Sequence, residues 1–271
     1  MRFPFPLRLD REQCQFPNLG GQILLSILPY LSTSELRSIT SLNRRLYAAA
    51  VALLHDRLVR AAALPDHELQ LECFTPAQRL FSEPSYCEYV GTDSLPVAES
   101  DVRSLAGLGN LYSHFRPVRN SGAGTQAELA SETIHLDESE PFAQLCTVVN
   151  IVKRGPRKGL FLSHVNVQEG LIRTWREWLA KRAENESETT GAPPVLWADA
   201  KQDVGIRFGL VERKALPRQA VFVMSDEDFP VSYRLEFSEL LVRTSKLLTN
   251  LERSETEELT NSGNAIVIAS F

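Results

Sequence analysis

Five histidines (His55, His67, His114, His135 and His164) are the first residues to test for chemistry, because an imidazole can serve as base, acid or metal ligand. None has a second histidine at the three- to five-residue spacing of a helix-borne zinc site. The carboxylate run Asp226-Glu227-Asp228 lacks the alternate spacing by which a calcium loop turns successive oxygens onto one ion. Bounded by a strand candidate and Pro230, it reads as a charged turn. The SGAGT segment at Ser121–Thr125 has small residues, but no strand leads into it and no lysine follows, so it is a loop and not a phosphate cradle. Four cysteines (Cys14, Cys73, Cys87 and Cys146) are widely spaced without a CxxC pair, which favours reduced, mostly buried thiols over zinc ligands or disulfides. No GxSxG elbow, P-loop or dinucleotide fingerprint is present. These residues point to a chain that binds rather than catalyses, with no cofactor and no metal.

Binding chemistry is better represented. Trp175, Trp178 and Trp197 are large flat apolar groups that can stack on a glycan or anchor a peptide. Anchoring the core is the commoner role of a tryptophan and the first expectation for each. They are the candidate target-binding residues, with both roles open.

The elements that would position such residues begin with the stretch from Phe16 to Leu46. Ile23, Leu24, Ile27, Leu28 and Leu31 fall on one stripe of a helix with 3.6 residues per turn. Pro29 must kink or stop that helix. Ser32 and Glu35 then form a capping box, opening a second helix that turns Leu36 and Ile39 inward. A third begins near Leu42 with Asn43, Arg44 and Arg45 exposed. Three short helices in about 30 residues enclose too little core to stand alone, so the unit needs a neighbour. Tyr47–Ala63 continues as a helix apolar on two sides, a joint that Leu64-Pro65-Asp66 stops.

In the order and spacing of Leu19, Ile23, Leu24, Leu25, Ile27, Leu28, Tyr30, Leu31, Leu36, Leu42, Asn43, Arg44, Arg45 and Leu46, this stretch resembles the F-box family. Gly20 stands where the family has proline, Gln22 where it has glutamate, and Leu46 where an aromatic is common. The resemblance implies docking to the small adaptor subunit of a cullin–RING ubiquitin ligase. The residues it assigns to that contact are Leu19, Ile23, Leu24, Ile27, Leu28, Leu31 and Leu36. An ordinary helical subdomain with a self-filled core would show the same stripe.

Composition sets the outer limits. The chain has 271 residues, enough for one small and one larger domain. A net charge of −5 argues against a general nucleic-acid binder, which needs a basic surface. No apolar run is long enough to span a membrane, and the charges and prolines of the first residues do not suit a signal peptide. Cytosol or nucleus is the expected location, with residues 1–15 as a short arm.

After Pro65 the period changes to two. Leu69, Leu71 and Cys73 alternate with polar residues, which predicts a strand. About residues 93–130 read as a loop or insertion. Further strands are expected at Thr133–Leu136, Phe142–Ile151, Gly159–Val167, Val204–Val211, Ala220–Met224 and Val231–Val242. A phase slip near Ser238-Glu239 predicts a bulge in the last of these. The closing AIVIASF is a further strand candidate, which the serine- and glutamate-rich stretch before it, Ser254–Ser262, could leave loose. Leu171–Ala183 fits either a helical stripe or an extended segment. From Ser131 to Arg253 the order of elements resembles the phloem-protein-like lectin and F-box-associated β-sandwiches. The expected architecture is therefore α+β: an F-box and joint helix at 16–63, then an antiparallel β-sandwich at 64–271. Two functions remain. One is a substrate receptor that binds the adaptor through its helices and a protein or glycoprotein target through its β-domain. The other is a ligand-binding or lectin-like protein whose helical start only covers its own sheet.

Overall fold

The leucine stripe forms helix α1 (Leu19–Ile27), and it ends where Pro29 enters, with Leu28–Tyr30 tightening into a 3₁₀ turn. Ser32 then caps helix α2 (Thr33–Ile39) by the reciprocal pair that the sequence predicts. Its Oγ accepts from the Glu35 amide at 3.3 Å, and its own amide donates to the Glu35 carboxylate at 2.7 Å. Asn43 caps helix α3 (Arg44–Ala62) by taking the Arg45 amide at 3.0 Å. The third short helix and the joint helix are thus one continuous element. It stops at Leu64-Pro65-Asp66, where Leu64 and Asp66 both adopt positive φ, 50° and 60°.

The computed structural model describes residues 19–93, 105–119, 128–155, 160–185, 193–213 and 230–260. Beyond α3 it comprises β1 (Glu68–Phe74), β2 (Ser85–Thr92), α4 (Leu105–Gly109), β3 (Tyr112–Arg119), β4 (Glu128–Leu129), β5 (Ser131–Leu136), β6 (Phe142–Arg154) and β7 (Phe161–Trp175). There follow α5 (Arg176–Asn185), β8 (Leu196–Trp197), β9 (Val204–Arg213), β10 (Val231–Arg243) and α6 (Thr244–Thr260). The α+β class is as expected. The sandwich is not: all the described strands join one antiparallel sheet in the order β7-β6-β1-β2-β3-β10-β9-β8, with β4 on β3 and β5 on β10.

That sheet curls until its ends nearly meet. Gly170 on β7 lies so close to the Ala198 carbonyl, just past β8, that a Cβ there would fall 2.1 Å from the oxygen. The curl replaces the second sheet of a sandwich because the long strands bend. Register shifts occur at Phe237/Glu239 in β10, where the phase slip predicts a bulge, and at Val149/Asn150 between β6 and β7. The enclosed space is filled by side chains, among them Leu69, Phe115, Ile134, Leu145, Ile206 and Leu235, each almost fully buried. Helix α6 lies across the end of the sheet where β1 begins and β10 finishes, burying Leu247, Leu248 and Leu251, with α3 stacked on it.

Three expectations need correction. The stretch 93–130 is not simply a loop, because it holds α4 and the interior strand β3, which pairs with both β2 and β10. Leu171–Ala183 is neither helix nor strand throughout: β7 runs to Trp175 and α5 starts at Arg176. The serine- and glutamate-rich stretch from Ser254, for which no element was expected, belongs to α6, which continues to Thr260. The arm at 1–15, the SGAGT segment, the Asp226 cluster, Ala220–Met224 and the closing AIVIASF lie outside the described residues.

Candidate functional site

The helical end carries an uncovered apolar face. Ile23 and Ile27 on α1 are 56% and 55% exposed, Tyr30 is 62% exposed, and Leu42 is 71% exposed. Leu24, Leu25, Leu31 and Ile39 are half-buried behind them, packed on the core. Of the residues assigned to an adaptor contact, Ile23, Leu24, Ile27 and Leu31 therefore present surface. Leu28 and Leu36, at 4% and 0% exposure, do not. Those two are enclosed by this chain's own core and stabilise the helical unit by about 1.5–3 kcal/mol each. The Leu19 side chain lies outside the described set.

One arginine fixes this face to the helices α3 and α6. Arg57 on α3 donates to the carbonyls of Pro29 (3.0 Å) and Leu31 (2.5 Å), just past the 3₁₀ turn, and pairs with Glu252 of α6 at 3.2 Å. Thr33 at the start of α2 donates to the same carboxylate. Burial pulls the guanidinium below its usual range, and the Glu252 charge opposes that pull. A groove of about 320 Å³ runs beside this cluster, with Leu53, Leu248 and Leu251 among its lining and Arg57 and Glu255 on its wall.

The structure does not bring the tryptophans together. Trp175 ends β7, is 55% exposed and meets Phe142 edge-on at 5.3 Å. Trp178 on α5 turns inward onto Phe208 at 6.2 Å. Trp197 on β8 leans on Tyr112 at 5.4 Å. Trp178 is half-buried against the core, and only Trp175 offers an open face.

Two histidines are bonded at both ring nitrogens. His114 bridges Glu239 and Asp93, at 2.7 Å to each, and so joins β3 to β10 and to the end of β2. His67 sits between the Pro65 carbonyl (2.7 Å) and Ser254 Oγ (2.9 Å), and Ser254 in turn meets Ser163. The His67–Ser254 pair has the spacing of a base and a nucleophile. Ser254 is completely enclosed, however, so the pair acts here as a clasp between α6, β7 and the start of β1. Among the described residues no group of three His, Cys, Asp or Glu could hold a metal ion, and no helix is long and apolar enough to cross a membrane. The thiols of Cys73, Cys87 and Cys146 are free, and burial pushes Cys73 up to about 12, which keeps it protonated and unreactive.

Burial holds His67 below its ordinary value of 6.5. The unfolded chain thus takes up a proton that the folded one refuses. The stability this contributes is fully present above 6.5 and is lost as pH falls from there toward the folded value. Glu72, Glu132 and Glu255, raised by burial from 4.5, act in the opposite sense: acid protonates them in the folded chain first. His67→Gln is expected to flatten the fall of the urea midpoint between about pH 7 and about pH 5. An unchanged slope would assign the acid sensitivity to other groups.

At the end of the sheet away from α3 and α6, a cavity of about 190 Å³ opens between the finish of β1, the start of β2, the finish of β3 and the start of β5. Leu71, Cys73 and Phe237 form its apolar part, and Ser82, Ser85 and Ser131 line its polar wall. Glu83 lines it too, and Glu132 and Arg119 stand beside them. Sequence reasoning missed these two because one lies in, and the other borders, the stretch read as an insertion. The strand alternation that makes Ile134 and Leu136 buried was the signal available for Glu132.

The chain thus has an apolar helical face at one end and a polar mouth at the other, joined by a filled sheet. Comparison with protein-family models, with curated proteins and with solved structures finds no match to any of them.

Proposed function

We propose that this chain is a substrate receptor of an SCF-type cullin–RING ubiquitin ligase, in which an F-box at residues 16–63 docks on the adaptor and the curled sheet captures a protein or glycoprotein target. It performs no chemistry itself. Its work is to raise the target's effective concentration beside the charged ubiquitin-conjugating enzyme. The cytosol or nucleus is the place for that work. The observation that carries the reading is the exposure of Ile23 and Ile27 on α1, of Tyr30 just after it and of Leu42 just before α3, large apolar groups that the described residues leave uncovered. The Arg57–Glu252 tie supports it further, because a receptor must hold adaptor and target at a fixed separation.

The test is co-expression with an adaptor subunit. Ile23→Asp combined with Ile27→Asp is expected to remove adaptor co-purification while changing stability by no more than about 0.5 kcal/mol per site, since both side chains are exposed. A folded double variant that still brings down the adaptor would end the assignment. The second reading, a ligand-binding protein whose helices only cover its own sheet, is favoured by the enclosure of Leu28 and Leu36. It predicts a soluble monomer that ignores the adaptor.

A further inference from the structure

We propose that residues 1–152 are kept free of ubiquitin-accepting amines, and that modification of the receptor itself falls on Lys181 and Lys201. The inference rests on the receptor reading and deepens it. Its starting point is the distribution of cations along the chain. Residues 1–152 carry twelve arginines and no lysine, whereas all six lysines lie between Lys153 and Lys246, among further arginines. The lysine-free part includes the helical unit and strands β1 to β5.

Structure does not demand arginine at most of these positions. Arg57 needs its fork, because it spans two carbonyls and a carboxylate. Arg37, Arg44, Arg45, Arg79 and Arg116 are exposed, and their side chains make no hydrogen bond or ion pair with another described residue. Either cation meets the demands of such a position, where an exposed charge adds little to stability. What separates the two is reactivity. A guanidinium stays charged and is no nucleophile, whereas an ε-amine can shed its proton and attack. In ubiquitin transfer the lysine Nζ lone pair attacks the thioester carbonyl on the loaded conjugating enzyme. An isopeptide bond forms, the carbon–sulfur bond breaks, and the departing thiolate is balanced by the proton the amine gives up. A lysine held beside that thioester would compete with the captured target.

The described lysines divide in two. Lys153 and Lys246 are half-buried and held by Glu258 at 2.7 Å and Asp203 at 3.3 Å, so neither extends freely toward a second protein. Lys181 on α5 and Lys201 between β8 and β9 are exposed, and their amines make no hydrogen bond or ion pair with another described residue. Lys158 and Lys214 lie outside the described residues.

The full chain would be co-expressed with adaptor, cullin and RING subunits. The purified complex would receive ubiquitin, activating and conjugating enzymes and ATP, with modified peptides mapped by mass spectrometry. Adaptor co-purification is read first from the same sample, and its absence would end the receptor reading and this inference with it. With the adaptor present, modification is expected at Lys181 and Lys201. Lys181→Arg combined with Lys201→Arg is expected to remove most of the modified receptor, although Lys158 and Lys214 remain. Arg79→Lys and Arg116→Lys, conservative changes at exposed sites, are each expected to create a new acceptor. An unmodified receptor, modification confined to other lysines, or added lysines that stay bare would each overturn the inference and leave the receptor reading standing.

Discussion

Gly170→Ala is expected to destabilise the protein by about 3 kcal/mol or more, lowering Tm by roughly 6–12 °C. The reason is the seam at which the sheet meets itself. A Cβ on residue 170 would lie 2.1 Å from the Ala198 carbonyl oxygen, 2.8 Å from its carbon and 2.9 Å from its Cβ. Two of these neighbours are backbone, so no rotamer change relieves the overlap. The strand or the turn must move. The Ala198 turn cannot move freely, since the Ala198 amide donates to the Val204 carbonyl at 2.9 Å and Asp199 takes the amides of Lys201, Asp203 and Val204. Two other glycines calibrate the result. Gly205→Ala meets Val195 Cγ1 at 2.4 Å and the Trp197 ring at 2.7 Å, both side chains that can shift, and should cost less. Gly91→Ala meets nothing within 4 Å and should change stability by less than about 0.5 kcal/mol. The measurement is urea denaturation of the three variants. Equal losses at Gly170 and Gly91 would mean that the seam between β7 and β8 is open in solution.

The order of those costs depends on contacts that cross the chain, and such contacts are what the sequence conceals. Local signals were readable. The Ser32–Glu35 capping box, the break at Pro29, the stop after Ala63 and the bulge before Glu239 each arise from residues within a few positions of one another. So do the alternating strands β5, β6, β9 and β10. What failed did so for identifiable reasons. Strand β3 contains Pro117, which argues against an interior strand. It is tolerated because the ladder to β10 covers only Tyr112 to Phe115, and Pro117 lies beyond it. Helix α6 was hidden by its polar residues, although Leu247, Leu248, Leu251 and the enclosed Ser254 mark one helical face. The sandwich expectation rested on the number and spacing of strands, which a curled single sheet shares. Along the apolar stripe on the helices Ile23 and Ile27 are exposed, Leu24 and Leu31 are half-buried, and Leu28 and Leu36 are enclosed. The burial of Leu28 and Leu36 follows from packing against α3 and the common core, which lies beyond their own stretch of sequence.

Arg57→Met should cost about 3 kcal/mol, and the loss should appear first in the helical unit. The methionine retains the aliphatic stem but leaves the Pro29 and Leu31 carbonyls without their donor and Glu252 without its cation. Arg57→Lys keeps the charge yet cannot span two carbonyls and a carboxylate at once, so its loss should be intermediate. Glu252→Gln removes one charge but leaves an acceptor for Thr33, and should cost least. Amide hydrogen exchange separates the two ways this energy can be lost. The segment from α1 to α2 is held by this cluster on α3 and α6 together with the enclosed Leu28 and Leu36, so in Arg57→Met its amides should exchange at a lower free energy than those of β1 and β6. Uniform acceleration across helices and sheet would mean that the tie holds the entire fold and not the orientation of the helices. For the receptor reading the difference matters. A face released from the sheet could still meet an adaptor, but it would no longer hold a target at a set distance, so Arg57→Met should preserve adaptor co-purification while weakening ubiquitin transfer to whatever the sheet captures.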